Sequence, residues 1–310
     1  MQYALGIDIG GTKISIVLGT SDGKILVRKK VLTQTGSRSK ACFKEVMKNI
    51  EALLREVKIP SQKLLGIGVG APGAVNSKKG ILPRSPNLPG WEGIPVCRIL
   101  EKKFKLPVRL ANDANAAALG EHLFGAGKKT KDLIYITVST GVGGGIVING
   151  QIHEGAGFVA GEVGHISVVP EGQRCKCGHR GCLEAYASGT AIGRSYRQMT
   201  GKKIAGAKEV GEAAASGDRL AIKSYREAAY YLGIGLANFM NILNPEAIVI
   251  GGGVLKSSPP VYWQEVIRSA KDHAWPEAFR TTRVLQSPLL GHSGDFGALA
   301  LAFQYLRRRR

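Results

Sequence analysis

Over its first third the chain alternates short apolar blocks with glycine turns, and the blocks predict strands. LGIDIGG, KISIVLG and KILVRKKVL read as three strands parted by the turns GGT and TSDG. From Lys40 to Val57 the period changes. Phe43, Val46, Met47, Ile50, Leu53, Leu54 and Val57 recur at the spacing of one helical face. LLGIGVGAPG is a buried strand that runs into a Gly/Pro loop. LPRSPNLPGWEGIP carries four prolines and predicts an ordered loop, since proline lacks the N–H a helix interior needs. PVRLAND is a further strand, and Ala114 to Gly125 is the helix after it, with an Asn-Asp pair suited to a helix N-terminus.

The pattern then returns. Leu133 to Gly150 has the layout of Tyr3 to Gly19: strand, glycine turn with a threonine, strand. Two such units imply a duplicated architecture with one glycine turn from each half. From Ser188 the chain is helix-rich, with NPEAIVIGGGV as a strand ending in three glycines and GDFGALALAFQYL as a closing helix. No low-complexity linker is visible, and the hinge is expected near Ala111 to Ala117. The division expected is a small α/β domain over 1–115, completed by the C-terminal helix 296–310, and a large one over 116–295.

A length of 310 residues suits about two domains, and 44% apolar with 21% charged residues is ordinary for a globular chain. The 42 glycines matter because they gather at GIDIGGTK, GIGVGAPG, STGVGGG and IGGGV, where backbone must approach a ligand or turn sharply. A net charge of +20 raises the question of nucleic acid, but aromatics are only 6% and the basic residues are spread along the chain. No nucleic-acid partner is expected; Arg307 to Arg310 reads as a frayed tail. The start runs straight into a strand, so no signal peptide is expected, and no apolar run approaches a membrane span. Cys42 and Cys97 are isolated and read as inert thiols, which fits a cytoplasmic location.

Four stretches carry candidate chemistry. In IDIGGTK the turn at Gly10 and Gly11 directs backbone N–H groups towards a phosphate. Thr12 adds a hydroxyl, Lys13 a charge and Asp8 a carboxylate for hydrated Mg²⁺. A plain hairpin turn is the competing reading, which the repetition in STGVGGG (Thr140, Gly141) weakens. GVGAPG fits GxGxxG but opens no helix, so it is no dinucleotide fingerprint. Gly251, Gly252 and Gly253 read either as a nucleotide contact or as a strand-to-helix turn. Asp113, at the carboxyl end of a strand, is either a general base or a helix cap. In GEVGHISVVPEGQRCKCGHRGCLEAY, His165, Cys175, Cys177 and Cys182 make a Cys₃His zinc set, with free reactive thiols as the rival. A closed four-ligand site is structural, fixing the loop that carries Glu162 and Glu184.

Together GIDIGGTK, GVGAPG, SPNLPGW, ANDANAAALGE, STGVGGGIVINGQ, GEVGHI and CKCGHRGCLEAYASG resemble the ROK family of sugar kinases and repressors, over essentially the whole chain. The resemblance implies a two-domain actin/hexokinase-like (ribonuclease H-like) α/β fold with a duplicated βββαβα core and an interdomain active-site cleft. It implies ATP-dependent phosphorylation of a hexose 6-hydroxyl, with Asp113 as general base. Gly10, Gly11, Thr12, Thr140 and Gly141 would be the phosphate turns, with Asp8 near the metal. Gly73, Asn87, Asn112, Asp113, Glu162, His165 and Glu184 would form the hexose pocket, and His165 with the three cysteines would hold zinc. SPNLPGW with GEVGH leans towards glucose over N-acetylmannosamine, N-acetylglucosamine or fructose. A homodimer or homotetramer is implied. The family's repressors carry a winged helix-turn-helix before the core, which the early first strand argues against here; a non-catalytic sugar sensor is the remoter alternative. His292, Ser293 and Asp295 depart from the family's closing motif, and only local packing is expected to rest on them.

Overall fold

The computed structural model of the protein describes residues 2–57, 59–204 and 206–306, so the Arg307 to Arg310 tail lies outside the described residues. The chain forms two compact units. The first is Met1–Lys129, Gln151–Ala160 and His292–Arg310; the second is Thr130–Gly150 and Gly161–Gly291.

In the first unit β1 (Tyr3–Ile9), β2 (Lys13–Thr20) and β3 (Ile25–Leu32) form a meander. After it come α1 (Ser39–Val57), β4 (Leu64–Ala71), α2 (Val96–Phe104), β5 (Val108–Asn112) and α3 (Asp113–Phe124). The strands lie in the order β3-β2-β1-β4-β5, with β1 antiparallel to β2 and parallel to β4, and β4 parallel to β5. β4 is buried along its whole length, as an unbroken apolar run predicts for a sheet covered on both faces. The helical face read in α1 is the one that packs: Phe43, Val46, Ile50 and Leu53 are buried in the core. The proline-rich segment is an ordered loop. Trp91 is fully buried there, and its Nε1 donates to Gln34 O at 2.9 Å.

The second sheet repeats this design. β6 (Leu133–Val138), β7 (Val142–Ile148), β8 (Gln151–Ile152), β9 (Ala247–Gly251) and β10 (Arg283–Gln286) lie in the order β10-β9-β6-β7-β8. Taken from the other edge this is the winding of the first sheet, with β6 antiparallel to β7 and parallel to β9, and β9 parallel to β10. The helices are α4 (Glu184–Ala187), α5 (Gly189–Thr200), α6 (Ala207–Ala215), α7 (Arg219–Leu243), α8 (Gly253–Ser257), α9 (Pro260–His273) and α10 (Pro276–Thr281). α7 and α9 pack together over a core that includes Leu232, Leu236, Ile248, Ile250 and Tyr262. The duplicated α/β class expected from the repeated strand–turn–strand pattern is the class observed.

The last helix, α11 (Ser293–Tyr305), belongs to the first unit, where it packs on β1, β4 and α3. Missing side chains make the approach possible. A Cβ on Gly68 would lie 1.9 Å from Ala298 O, and one on Gly297 would lie 2.5 Å from the carbonyl carbon of Ala116. Because α3 packs along α11, the first unit extends to Lys129 and does not end at residue 115 as expected. Residues 151–160 also cluster with the first unit, which an unbroken 116–295 domain did not allow for. Among the described residues no helix is long and apolar enough to cross a membrane.

Candidate active site

Each unit presents a glycine turn between its first two strands. In the first, the Gly10 N–H closes the turn on Lys13 O at 3.0 Å, and Gly10 O accepts from Thr33 Oγ1 at 2.6 Å. In the second, the Ser139 N–H closes on Gly141 O at 2.9 Å. In both cases the next two N–H groups, Gly11 and Thr12 or Thr140 and Gly141, have no protein partner among the described residues. Thr12, Lys13 and Thr140 are exposed. The geometry leaves paired donors open to an anion, as a phosphate-binding turn requires. Gly11 is also needed for packing, because a Cβ there would lie 2.9 Å from Asn87 O. Asn87 thus meets the turn through its backbone.

The end of β5 shows which residue of the Asn-Asp pair caps the helix. Asn112 is the cap: its Oδ1 accepts from the N–H of Ala114 at 2.9 Å and of Asn115 at 3.1 Å. Its Nδ2 donates to Gly73 O at 3.1 Å, tying the loop after β4 to the start of α3. Gly73 sits at φ +103°, where glycine is favoured. Asp113 takes the first helical position, partly exposed, with its Oδ1 at 2.9 Å from the Ala114 N–H. The carboxylate is therefore not what caps α3.

Asp8 ends β1 beside this carboxylate. Burial first, then the charges of Asp113 and Asp295, push its pKa up to about 7, with Lys13 opposing. Its Oδ2 lies against the backbone at the start of α11, where a Cβ on Gly294 would come within 2.1 Å. Asp295 is thus more than a packing residue, contrary to the expectation from the closing motif. It is buried, its Oδ2 takes the Arg28 Nε at 2.7 Å and lies 3.6 Å from His292 Nδ1, and its charge acts on Asp8. From sequence Asp295 stood out only as a departure from the closing motif and Arg28 not at all, since their partnership spans most of the chain. The charges of Asp113 and Asp295 thus act on Asp8, and a carboxylate is the kind of ligand a hydrated divalent cation such as Mg²⁺ takes.

In the second unit the GEVGH stretch is a short 3-10 turn laid on β7. Val163 is buried, and a Cβ on Gly164 would lie 2.1 Å from Val142 O. Past it the chain folds into a small loop, with Cys175 N–H on His179 O at 2.8 Å and bridges at Ser167 with Cys182 and Arg174 with Arg180. The result gathers the donor atoms of His165, Cys175, Cys177 and Cys182 within 4.8 Å of one another. His165 Nδ1 is 3.8 Å from Cys175 Sγ, and Cys177 Sγ is 3.6 Å from Cys182 Sγ. A tetrahedron with zinc–sulfur bonds of ~2.3 Å has edges of about 3.8 Å, so both the donor set and the spacing fit zinc. His165 Nε2 faces the other way, 3.9 Å from the exposed Glu162.

Glu184, the first residue of α4, reaches the glycine turn. Its Oε2 accepts from Val142 N–H at 2.9 Å, and a Cβ on Gly141 would lie 2.3 Å from that oxygen. Its Oε1 is 4.0 Å from Cys175 Sγ. One carboxylate thus links the cysteine loop to the second phosphate-type turn.

Beside that turn lies a cavity of about 1000 Å³, lined by Thr140, Thr190, Lys208, Gly253, Val254 and Lys256 among others. The triple glycine divides here. Gly253 lines the cavity, but Gly251 and Gly252 are required by packing on β6, where Cβ atoms would come within 2.6 Å of Tyr135 OH and 2.3 Å of Val138 O. Of the three, Gly253 is the one that lines this cavity. Thr190 and Lys208 escaped the sequence because nothing in GTAIG or GAKEV marks chemistry; they reach the cavity through where α5 and α6 begin.

The family model described as "ROK family" matches residues 4–305. The chain is 35% identical over 312 residues to a protein named glucokinase from Thermotoga maritima, covering 96% of each. The ROK hexokinase structure from Thermus thermophilus superposes with TM-score 0.86 at 33% identity, over 97% of this chain and 98% of that one. A ROK family glucokinase from Streptomyces griseus, solved with glucose and AMPPNP, matches at 36% identity and TM-score 0.77, over 97% and 99%. A longer protein named xylose repressor from Bacillus spizizenii is 30% identical, covering 98% of this chain and 77% of the repressor.

Proposed function

From its place in the ROK family, to which this chain belongs, we propose that the protein is an ATP-dependent sugar kinase that converts glucose to glucose 6-phosphate. The observation that carries this reading is the separation of duties at β5–α3: Asn112 caps the helix, and the neighbouring Asp113 carboxylate stands partly exposed beside Asp8. Names borne by relatives, including the glucokinase solved with glucose and AMPPNP, support the class of substrate and donor.

The chemistry assigned to each residue follows from what it offers. Asp113 accepts the proton of the sugar 6-hydroxyl as that oxygen attacks the γ-phosphorus. Open N–H groups of Gly11, Thr12, Thr140 and Gly141 donate to the phosphate oxygens, with Lys13 adding charge. Asp8 would hold Mg²⁺ through water. That ion, when bound, neutralises charge on the transferring phosphoryl group. The nucleoside occupies the cavity lined by Thr190, Lys208 and Val254. Sugar hydroxyls are held by Asn87, Asn112, Glu162, His165 and Glu184, with Gly73 keeping the loop beneath them. His165, through Nδ1, and the three cysteines would hold zinc, which would fix the ring and leave Nε2 for the sugar. A cytoplasmic location fits ATP as donor and the five unpaired thiols. Assembly as a homodimer or homotetramer has exposed apolar side chains available, Ile242 and Trp275 among them.

Phosphoryl transfer from Mg-ATP to glucose, N-acetylmannosamine, N-acetylglucosamine and fructose tests the proposal directly. Glucose turnover that collapses in Asp113→Asn supports it. Turnover of an amino sugar or fructose alone replaces the substrate and keeps the mechanism. A sugar-responsive regulator is the second reading, favoured by the match to xylose repressors. Zinc-loaded, folded protein that binds glucose yet turns over none of the four sugars would establish that reading instead.

A further inference from the structure

A second cavity, of about 630 Å³, lies in the second unit and shares no lining residue with the first. α5 connects the two: Gly189 and Thr190 line the first, while Arg194, Ser195 and Gln198 line the second. Its wall is aromatic, with the rings of Tyr186 and Tyr231 at 4.4 Å and those of Tyr230 and Tyr231 at 5.4 Å.

The charge in this cavity is unbalanced. Arg194, Lys223 and Arg226 line it, and among the described residues none of the three has a carboxylate in ion-pair reach. Against these stand two acidic residues, Glu227, which accepts from Ser195 Oγ of the same wall at 2.8 Å, and Glu265, which pairs with Arg268. Arg194 is half-buried and gives one Nη to Ala185 O, leaving the rest of its fork without a recorded partner. Burial, with Arg197 nearby, pulls its pKa below the ordinary arginine value, against the effect of Tyr186. A partly desolvated guanidinium without a counter-charge is costly unless an anion joins it.

We infer that this cavity binds a small phosphorylated sugar, its phosphate on the Arg194 fork with Lys223 and Arg226 alongside and its ring against Tyr186 and Tyr231. Three cations lining one cavity suit a phosphate dianion, and an arginine fork matches its oxygens in pairs. A volume of about 630 Å³ is far more than a bare phosphate fills, and aromatic faces suit the C–H face of a pyranose. The position gives such a ligand a route to the reactive site. Tyr186 OH accepts from Gln173 N–H at 2.6 Å, two residues before Cys175, so contact with Tyr186 bears on the metal loop.

The test is isothermal titration of zinc-loaded protein with glucose 6-phosphate and, separately, with inorganic phosphate. Both are run with and without saturating glucose and AMPPNP. The result expected is glucose 6-phosphate binding that survives saturation, at least about tenfold tighter than inorganic phosphate. Arg194→Met should weaken it by roughly ten- to a hundredfold and Arg194→Lys by less, both with unchanged melting. No binding, binding abolished by glucose and AMPPNP, or equal binding by Arg194→Met would overturn the inference. So would inorganic phosphate binding as tightly as the sugar phosphate, or an Arg194→Met change in sedimenting mass, which marks a face between copies. Because binding is read without turnover, failure here and failure of the kinase reading are separate results.

Discussion

Asp113 can be changed without disturbing the helix it begins, since Asn112 holds the cap. Asp113→Asn is expected to lower kcat by ~10²–10⁴ while melting stays within a degree or two of wild type. Asn112→Ala should do the reverse in part, losing about 1 kcal/mol of stability with the cap and freeing Gly73. Equal stability losses in both variants would contradict this division. Asp8 carries a pH signature. Its folded pKa of about 7 lies above the ordinary aspartate value of 3.8, so between those values the folded chain keeps a proton that the unfolded chain has released. Without added magnesium, the Asp8 contribution to stability therefore falls as pH rises from about 4 to 7, by at most roughly 4 kcal/mol, and is flat above. Thermal melts from pH 5 to 8 should show Asp8→Asn without this slope; parallel profiles for the two proteins would refute it.

At the scale of elements, the cysteine loop and the helix–sheet contact make different demands. The loop from Ser167 to Cys182 has two isolated bridges and no regular strand, so a metal held by its four donors would be its main cross-link. Cys177→Ser is expected to abolish stoichiometric zinc by elemental analysis, lower melting by several degrees and raise KM for sugar more than for ATP. An unchanged zinc content would remove Cys177 from the ligand set. Gly68→Ala challenges backbone directly, with Ala298 O at 1.9 Å from the new Cβ. It should cost on the order of 3 kcal/mol or more, read by chemical denaturation. What the sequence could convey about elements followed from period and punctuation. α1 was legible because seven apolar residues share one face, and the strands of both meanders because glycine turns bound them. α2 was missed since VCRILEKKF follows directly on a proline loop, and β10 since RVLQ is too short to show a period.

For the whole molecule, a net charge of +20 is a field as well as a count. It should draw in anionic nucleotide, so kcat/KM for Mg-ATP is expected to fall several-fold from 20 to 200 mM salt while kcat/KM for a neutral sugar stays level. Equal salt sensitivity for both substrates would argue against steering. The duplicated winding was legible from one repeated strand–turn–strand unit, because a motif that recurs 130 residues on carries its sheet with it. The boundaries were not, because α3 and α11 meet through Gly120 and Gly297, whose closeness no local pattern records. Likewise Asp8 was visible in IDIGGTK and Asp295 as a departure from the closing motif, but the tie of Asp295 to Arg28 was not, since Arg28 lies in no motif and the two meet across 267 positions.

The placement of α11 has a consequence for how the protein is made. β1 and β4 leave the ribosome early, yet the helix that packs on them spans Ser293–Tyr305. At translation rates of roughly 5–20 residues per second, β1 waits on the order of 15–60 s for its covering helix. In the second unit the wait is about half as long, since β6 gains β9 and β10 from residues 247–286 and the unit is complete by Gly291. The later segment of the chain is therefore expected to reach its native form first, with the earlier one held open until synthesis is nearly over.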